Sequence, residues 1–564
     1  MTEEDRIPDD EWRLDEEPIE RPAPDPRSTA PTEEIAIASN LSHERLKRAV
    51  YVVTAEHLAW YVVAAYAIIT RTIALGARPL DTAQATGALA ASVIAAHGRM
   101  AFALSDASWV AILEGGIFSA LGATDATSRI VVTLCGLLLV ATAFAMRPVL
   151  GRAGALAFAA MIAISPSVTY FSRGGSTTIA SIAFMMAAIA IAESMRRHPN
   201  MLRAVGLGVA IALWLSADPI GYVTGAAAIV SVILVGLVNI VRIDHRRLRM
   251  LVWWDRRRAL VIVGMIVAVG LWLALTTAFF HRPLVPAVKY YAAAAFAPPL
   301  IAFQHSIHRL IPVLLFYEFI VVILAIVGVA AIVSRKIGDG FAAWSIVWAI
   351  VTLLTLGAVS ANRADAVVAI VLPLAMLGAY AVDWMHHSER WTSIRYAIVA
   401  AVWLTLYVQF TTNFVYPAPD VSEAAWRRHA LLFWSEPATT IQTVKECERA
   451  RNAVSAAGAR AMIPDDAPQV QWYLRDFAQT DSPDAASIVV KVGKTQSGAA
   501  AGNPDASQFG FEEWWAPNFR GLTIANAIRY FFTQRAWSDL EIRDLQIVVA
   551  TRGDGSAVKE GGPK

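Results

Sequence analysis

The chain has 564 residues, of which 56% are hydrophobic and 17% charged, and its mean hydropathy is +0.48. Soluble globular proteins of this size rarely carry so few charges, so the composition excludes that class and predicts a membrane protein. The formal net charge is only +2, which gives no argument for a nucleic-acid partner.

Residues 1–50 are acidic and rich in proline. They have neither the basic start nor the short apolar core of a cleavable signal peptide. Because they contain too few apolar residues to form a core, we predict a disordered tail on the cytoplasmic side. The two cysteines, Cys135 and Cys447, lie in an apolar stretch and in the polar C-terminal part, so we predict no structural disulfide.

The region 51–416 contains many apolar stretches that are long enough to cross a hydrocarbon core of roughly 30 Å. We predict an all-α polytopic membrane domain with about eleven transmembrane helices. The predicted spans are 57–76, 128–146, 153–170, 177–194, 203–219, 222–241, 259–280, 310–333, 341–359, 365–384 and 396–414. We interpret Asp218 and Pro219 as a turn between two spans, because proline disfavours continuation of a helix.

Lysine and arginine residues cluster in alternate loops between the predicted spans. The clusters are Arg147 and Arg152, Arg196 to Arg203, Arg242 to Arg258, Arg335 and Lys336, and Arg390 and Arg395. The positive-inside rule places these loops and the N-terminus in the cytoplasm. An odd number of spans then leads the chain to the opposite face. We therefore predict a multi-pass protein of the inner (cytoplasmic) membrane whose C-terminal domain is periplasmic or extracellular.

Two loops on the predicted non-cytoplasmic side are long, 77–127 and 281–309. Their apolar stretches are too short to span, which is typical of helices that lie in the membrane interface. From residue 417 onward, helical patterns alternate with strand-like runs. The helical patterns cover 439–457 and 524–535, and the strand-like runs cover 487–492 and 545–550. We predict a small α/β domain over 417–550 and a flexible tail over 551–564.

Several short motifs occur in a characteristic order along the chain. They are Arg78-Pro79-Leu80, Gly122 to Arg129, Leu150-Gly151-Arg152, Ile164 to Ser167, Tyr170 to Arg173, Trp472 to Asp476, Trp514 to Pro517 and Arg529-Tyr530. The series resembles the membrane glycosyltransferases of GT-C architecture that are related to protein mannosyltransferases. It is most similar to the bacterial and archaeal family labelled flippase activity-associated protein. The resemblance implies a GT-C-like membrane domain that binds membrane lipid and transfers a sugar from a polyprenyl-phosphate carrier at the extracytoplasmic face.

The resemblance also implies a catalytic carboxylate in the first long loop, and Asp81 is the candidate there. It would deprotonate the acceptor or orient a divalent metal ion, so the cofactor is left open. The alternative is a solvated carboxylate at the membrane boundary with no function. No metal ligand is assigned, because His281, His305 and His308 lack a third ligand at a diagnostic spacing.

Six further residues are candidates for substrate binding. They are Arg78, Tyr170, Arg173, Glu318, Trp472 and Arg475. Arg173 would hold a lipid phosphate, or alternatively extend from a helix end to the interface. Glu318 lies inside an apolar span, where a carboxylate is costly and usually faces protein or a wet cavity. Trp472 would stack on a sugar, or alternatively pack the core of its domain.

Two acidic motifs of similar family members are reduced in this chain. Asp81 stands alone where they carry a histidine and an Asp-Glu pair, and Gly174 to Thr177 replaces an Asn-Asp pair. A second hypothesis is therefore a catalytically degenerate relative that acts as a scaffold or as the noncatalytic subunit of a membrane complex with protein partners. We interpret the segment Asp125 to Arg129 as the capped start of a helix, not as a binding site.

Overall fold

The computed structural model describes most of the chain between residues 55 and 549. The described ranges are 55–97, 108–242, 245–277, 279, 283–286, 288–289, 310–334, 340–359, 363–387, 392–416, 418–420, 429–435, 437–454, 459–497, 508–515, 517 and 519–549. The tails predicted over 1–50 and 551–564, and most of the loop 281–309, lie outside these ranges.

Helices make up the described part of the membrane domain. In chain order they are α1 (Ala55–Thr72), α2 (Thr82–His97), α3 (Trp109–Leu121), α4 (Ile130–Ala145), α5 (Arg147–Ile164), α6 (Pro166–Arg173), α7 (Thr177–Arg197), α8 (Met201–Ala217), α9 (Ile220–Arg242), α10 (His245–Thr276), α11 (Leu310–Tyr317), α12 (Phe319–Ser334), α13 (Gly340–Val359), α14 (Val367–His386) and α15 (Thr392–Phe410). Each predicted span overlaps one of these helices or a consecutive pair of them, α5 with α6 and α11 with α12. The predicted all-α polytopic membrane domain is confirmed.

Within the described residues, eight helices are long and apolar enough to cross a membrane. These spans are Thr127–Ala145, Arg147–Ile164, Thr177–Arg197, Ile220–Leu237, Arg258–Thr276, Gly340–Gly357, Ala364–His386 and Tyr396–Val415. The pair α11 and α12 makes a ninth if it is counted as one span, although it bends by 94°. Two predicted spans do not reach this standard: α8 has 17 residues, and α1 carries Glu56 and Arg71.

The third predicted span, 153–170, is interrupted in the structure. Helix α5 ends at Ile164, and Ser165 caps a new helix by accepting a hydrogen bond from the backbone N of Val168 at 3.1 Å. Proline at position 166 suits the first turn of α6, where its missing N–H leaves no bond unmade. The short helix α6 is therefore a separate element, and its last residue, Arg173, contacts the segment that follows α1.

The long loop 77–127 contains two short helices, α2 and α3, which pack against each other. Their close approach depends on Gly115, where a Cβ atom would lie 2.8 Å from Cγ2 of Ile94. Phe118 and the alanines of α2 form a small apolar cluster that also contains Trp472 of the C-terminal domain. The loop therefore supports that domain.

The C-terminal domain is built on a six-stranded sheet. Its strands are β1 (Ala438–Thr439), β2 (Arg460–Met462), β3 (Ala478–Gln479), β4 (Ile488–Ser497), β5 (Gln508–Trp514) and β6 (Glu541–Val549), and its helices are α16 (Ile441–Ala453), α17 (Pro468–Tyr473) and α18 (Ile524–Thr533). The strand order is β1-β5-β6-β4-β2-β3, antiparallel up to β4 and parallel beyond it. The strand-like runs at 487–492 and 545–550 correspond to β4 and β6, which pair with each other.

Candidate functional site

A cleft opens between the C-terminal end of α1, helix α6 and the end of α15. It encloses about 420 Å³, part of it open to solvent. The lining residues are Ala74, Leu75, Ala77, Arg78, Tyr170, Arg173, Thr412, Asn413 and Phe414. Three of the predicted substrate-binding residues, Arg78, Tyr170 and Arg173, thus line one cavity, which we call the arginine cleft.

Arg173 is anchored to the carbonyl groups at the end of α1. Its guanidinium donates hydrogen bonds to the carbonyl oxygens of Thr70 and Ile73, both at 2.7 Å, and of Ala74 at 3.3 Å. It also lies 4.4 Å from the ring centroid of Phe414. The last carbonyls of a helix have no intrahelical partner and carry partial negative charge, so a cation is favourable there. These contacts fix the position of the guanidinium in the cleft wall.

Arg78 stacks on an aromatic ring and keeps donors available. Its guanidinium carbon lies 4.2 Å from the ring centroid of Tyr170, and Nη2 donates to Oδ2 of Asp81 at 3.3 Å. Within the described part of the chain, Asp81 is the acceptor that its side chain reaches. A guanidinium has five N–H groups in a fork that matches a phosphate or carboxylate, so most of them remain for an anion in the cleft.

Arg129 organises the turn that follows α1. Its side chain is buried, and Nη1 donates to the carbonyl oxygens of Leu75 at 2.8 Å and Arg78 at 2.7 Å. Nη2 donates to the carbonyl oxygen of Pro79 at 2.9 Å and to the side-chain oxygen of Gln84 at 3.0 Å. Sequence reasoning assigned Arg129 only to a helix start and missed this contact across the fold.

The predicted helix cap before Arg129 is present, and it is formed by Thr124. Oγ1 of Thr124 accepts a hydrogen bond from the backbone N of Thr127 at 3.2 Å. The cap and the buried arginine are therefore both present, and each satisfies a different set of backbone groups.

Three arginine side chains, those of Arg78, Arg129 and Arg173, converge at the end of α1. Burial, followed by the positive charges of Arg129 and Arg78, lowers the pKa of Arg173 to about 10. This value still lies far above neutral pH, so the group remains cationic. Like charges that converge in a partly buried site repel one another unless an anion offsets them. The arginine cleft therefore favours a bound anion such as a phosphate.

Asp81 lies beside the arginine cleft and begins α2. Its Oδ1 accepts from the backbone N of Gln84 at 2.9 Å and so caps the helix, and the side-chain amide of Gln84 donates to Oδ2. Burial raises the pKa of Asp81, and the positive charge of Arg78 opposes that rise. A quarter of the side chain is exposed. The alternative of a fully solvated carboxylate is therefore wrong.

A second charged cluster joins segments that are distant in the chain. Arg363 donates through Nη1 to Asp218 at 2.9 Å and through Nη2 to Asp365 at 3.0 Å. The hydroxyl groups of Ser176 and Thr178 donate to Oδ2 of Asp365 at 2.6 and 2.7 Å. We call Asp218, Arg363 and Asp365 the aspartate cluster. It ties the loop after α6 to the starts of α9 and α14.

The aspartate cluster was missed in the sequence. Asp218 does form the predicted turn, but its side chain is buried and paired with Arg363. The sequence did contain an indication of the cluster, because Arg363 and Asp365 directly precede an apolar span. Ionised side chains in such positions usually pair with one another. The residues 176–178 contact carboxylates supplied by other segments.

Glu318, a predicted substrate-binding residue, is not among the residues that line the arginine cleft. It is fully buried at the bend between α11 and α12. Its Oε1 accepts from the hydroxyl of Ser165 at 2.6 Å and from the backbone N of Ser167 at 3.0 Å. A carboxylate at a helix N-terminus satisfies unpaired N–H groups, so Glu318 positions α6, the helix that carries Tyr170 and Arg173.

Trp472 and Arg475 also lie away from the arginine cleft. Trp472 has no exposed surface, and its Nε1 donates to Oδ1 of Asp125 at 2.7 Å. The guanidinium of Arg475 lies 4.0 Å from that ring and donates to the carbonyl oxygen of Ala123 at 2.6 Å. Trp472 is thus buried against the loop 77–127 and is not part of the core of its own domain, and both residues join the C-terminal domain to that loop.

The described residues do not supply a ligand set for a metal ion. Among them, no group of three or more His, Cys, Asp or Glu side chains could hold one. The two carboxylates of the aspartate cluster are already bridged by Arg363. The histidines His281, His305 and His308 lie outside the described residues.

Comparison with known proteins identifies the fold. No protein-family model and no curated protein matches the chain. The structure of ArnT from Cupriavidus metallidurans bound to undecaprenyl phosphate aligns with a TM-score of 0.51 and 13% identity, over 86% of this chain and 98% of that one. Its apo state aligns with a TM-score of 0.52 and 13% identity, over 86% and 97%. Because ArnT is a GT-C glycosyltransferase, the chain described here has the fold of the GT-C membrane glycosyltransferases.

Proposed function

We propose that the chain transfers a sugar from a polyprenyl phosphate to an acceptor at the extracytoplasmic face of the inner membrane. The observation that carries this proposal is that Arg78 and Arg173 line one cleft, with the carboxylate of Asp81 beside Arg78 and the buried Arg129 behind the turn that carries Arg78. The ArnT structure, which shares the fold, is bound to undecaprenyl phosphate, and this supports a lipid phosphate as the anion.

The cleft is suited to a substrate that enters from the bilayer. Phe414 in the cleft wall stacks on Phe410, with 5.7 Å between ring centroids, and Phe410 is largely exposed on the side of α15. Ile69 and Ile73 are exposed near the end of α1. An isoprenoid chain would lie against these apolar surfaces while its phosphate meets the arginines.

The transfer breaks the bond between the anomeric carbon of the sugar and the phosphate oxygen, and it forms a bond from that carbon to the acceptor oxygen. Polyprenyl phosphate leaves with the electron pair, and Arg78 and Arg173 stabilise the charge that develops on it. Asp81 accepts the proton of the acceptor hydroxyl. Its raised pKa makes it a stronger base than a solvated aspartate.

A noncatalytic scaffold is the second candidate function. It is favoured by the contacts of Asp81, because Gln84 engages both carboxylate oxygens and Arg78 engages one of them. A carboxylate held in a helix cap must release these contacts before it accepts a proton. In this case the cleft would bind lipid phosphate without turnover, and the chain would act through protein partners in a membrane complex.

Donor consumption separates the two candidates. We expect purified protein in lipid to consume one of a panel of polyprenyl-phosphate sugars, and Asp81→Asn to lower the rate about 10²- to 10⁴-fold, the usual range for loss of a general base. Asp484→Asn, which removes an exposed carboxylate of the C-terminal domain, should leave the rate unchanged. Full activity in Asp81→Asn would refute the base assignment. Donor binding without consumption by the wild type would favour the scaffold, and copurifying partners should then be found.

The rate of transfer should depend on pH through Asp81. The base is the deprotonated form, so the rate rises as the pH passes the pKa of this group. Because burial raises that pKa, the acidic limb should lie above about 4, the ordinary value of an aspartate. Arg78→Gln removes the charge that opposes the rise, so the limb should move to still higher pH. Initial rates measured across pH test this prediction. If the acidic limb lies at the same pH in Arg78→Gln as in the wild type, it reports the titration of a group other than Asp81.

A further inference from the structure

Helix α18 of the C-terminal domain presents an exposed apolar stripe. Ile524 is 82% exposed, Ile528 56% and Phe532 51%. Residues four apart lie on one face of a helix, so these three side chains form a continuous row. Tyr530 points the opposite way and is fully buried. A soluble domain rarely leaves such a row facing water, because its exposure has a hydration cost.

The C-terminal end of α18 lies beside the ends of two membrane spans. The hydroxyl of Tyr407 donates to the carbonyl oxygen of Phe532 at 2.5 Å, and the ring of Phe531 packs against that of Phe319 at 5.7 Å. Phe319 is the first residue of α12. Tyr407 lies inside the span Tyr396–Val415, about two helical turns before its end. These contacts set α18 at the height where the spans leave the hydrocarbon core.

The stripe continues the surface that faces lipid. On α15, Trp403 is 69% exposed and Phe410 59%, and these side chains flank Tyr407 on a helix long and apolar enough to span the membrane. Exposed aromatic side chains on such a helix contact lipid. Since Tyr407 touches Phe532, the end of the apolar row of α18 adjoins this exposed surface of α15.

We propose that α18 is a membrane-interface helix, with its apolar stripe inserted at the boundary between headgroups and acyl chains of the extracytoplasmic leaflet. The exposed Arg529 next to Ile528 is placed to meet lipid phosphates, as basic residues beside an apolar stripe commonly do. This inference rests on the membrane fold and on the predicted orientation, and it holds whether or not the arginine cleft is catalytic.

Membrane attachment of α18 has a consequence for the arginine cleft. The hydroxyl of Tyr530 lies 2.7 Å from that of Tyr317, the residue before the bend at Glu318. Glu318 in turn holds the N-terminus of α6, which carries Arg173. The interface helix therefore connects the surface of the leaflet to the helix that presents the cleft arginine.

The depth of α18 is measured with spin labels on the full-length protein. Single cysteines replace Ile524, Ile528 or Phe532, and Arg449→Cys, at a side chain that is 75% exposed on α16, is the matched water-facing control. The wild-type chain, whose Cys135 and Cys447 are buried, sets the background of labelling. The variants are reconstituted in vesicles of phosphatidylethanolamine and phosphatidylglycerol. Collisions with oxygen, which concentrates in the hydrocarbon, are compared with collisions with a water-soluble nickel chelate.

We expect the labels on the stripe to relax mainly through oxygen and the control label through nickel. Relaxation of the stripe labels mainly through nickel would place α18 in water and overturn the proposal. Low rates with both reagents would show that protein covers the stripe, either residues 281–309 or a second copy, and would also overturn it. Thermal unfolding of each variant confirms that the exposed substitutions leave the fold intact.

Discussion

Replacing Arg129 with glutamine is expected to lower the free energy of unfolding by about 1–3 kcal/mol, the range for leaving buried acceptors without their donor. The guanidinium donates to three backbone carbonyls of the turn 75–79 and to Gln84, and a glutamine is too short and has too few donors to replace it. The turn carries Arg78, so binding of polyprenyl phosphate should fall as well. Denaturant titration in lipid and a phosphate-lipid binding assay measure the two effects.

Two further variants test whether the lost hydrogen bonds of Arg129 cause the loss of stability and of lipid binding. Arg152→Gln removes an exposed arginine at the predicted cytoplasmic end of α5 and should change neither quantity. Arg129→Lys keeps the charge but not the fork of donors, so it should recover only part of the stability. Unchanged stability in Arg129→Gln would mean that the turn is held by other contacts.

Replacing Arg363 with methionine should cost about 2–3 kcal/mol of stability. The variant leaves Asp218 and Asp365 without their cation, although the cost is below that of a fully buried pair because a third of the Arg363 side chain is exposed. The loop 174–178 is tied to Asp365 and should loosen, which displaces Arg173 and lowers donor consumption. Denaturant titration and the consumption assay measure both.

A compensated variant separates the charge from the packing. Asp218→Asn and Asp365→Asn, combined with Arg363→Met, remove the uncompensated charges and should restore most of the stability. If the triple variant is as unstable as Arg363→Met alone, the loss comes from packing and not from the buried carboxylates.

The glycine pair 174–175 lies where the loop after α6 passes close to Arg78. Gly175 has a φ of +77°, a conformation that side chains with a Cβ rarely adopt. A Cβ at Gly174 would lie 3.1 Å from Nη1 of Arg78 and 3.1 Å from the carbonyl oxygen of Tyr170. The close approach of the loop to Arg78 therefore favours glycine at both positions. Asp218 and Asp365 contact the residues that follow, Thr177 and Thr178.

The sequence also predicted parts of the candidate site. Arg78, Tyr170 and Arg173 were linked by short motifs, and the structure brings all three to one cleft. Glu318 and Trp472 were equally prominent, because a carboxylate or a tryptophan is conspicuous in an apolar or mixed segment. Their partners, Ser165 and Asp125, are distant in the chain, so neither burial could be deduced locally.

The sequence by itself determined the membrane architecture. Span length and apolar composition are local properties, and lipid requires each spanning segment to satisfy its backbone within its own helix. Only the tertiary structure decided the chemistry of the site. Arg129 meets carbonyls about fifty residues away, and Arg363 meets Asp218 across 145 positions. Such contacts depend on how the helices pack, because a buried charge is stable only where its partners converge.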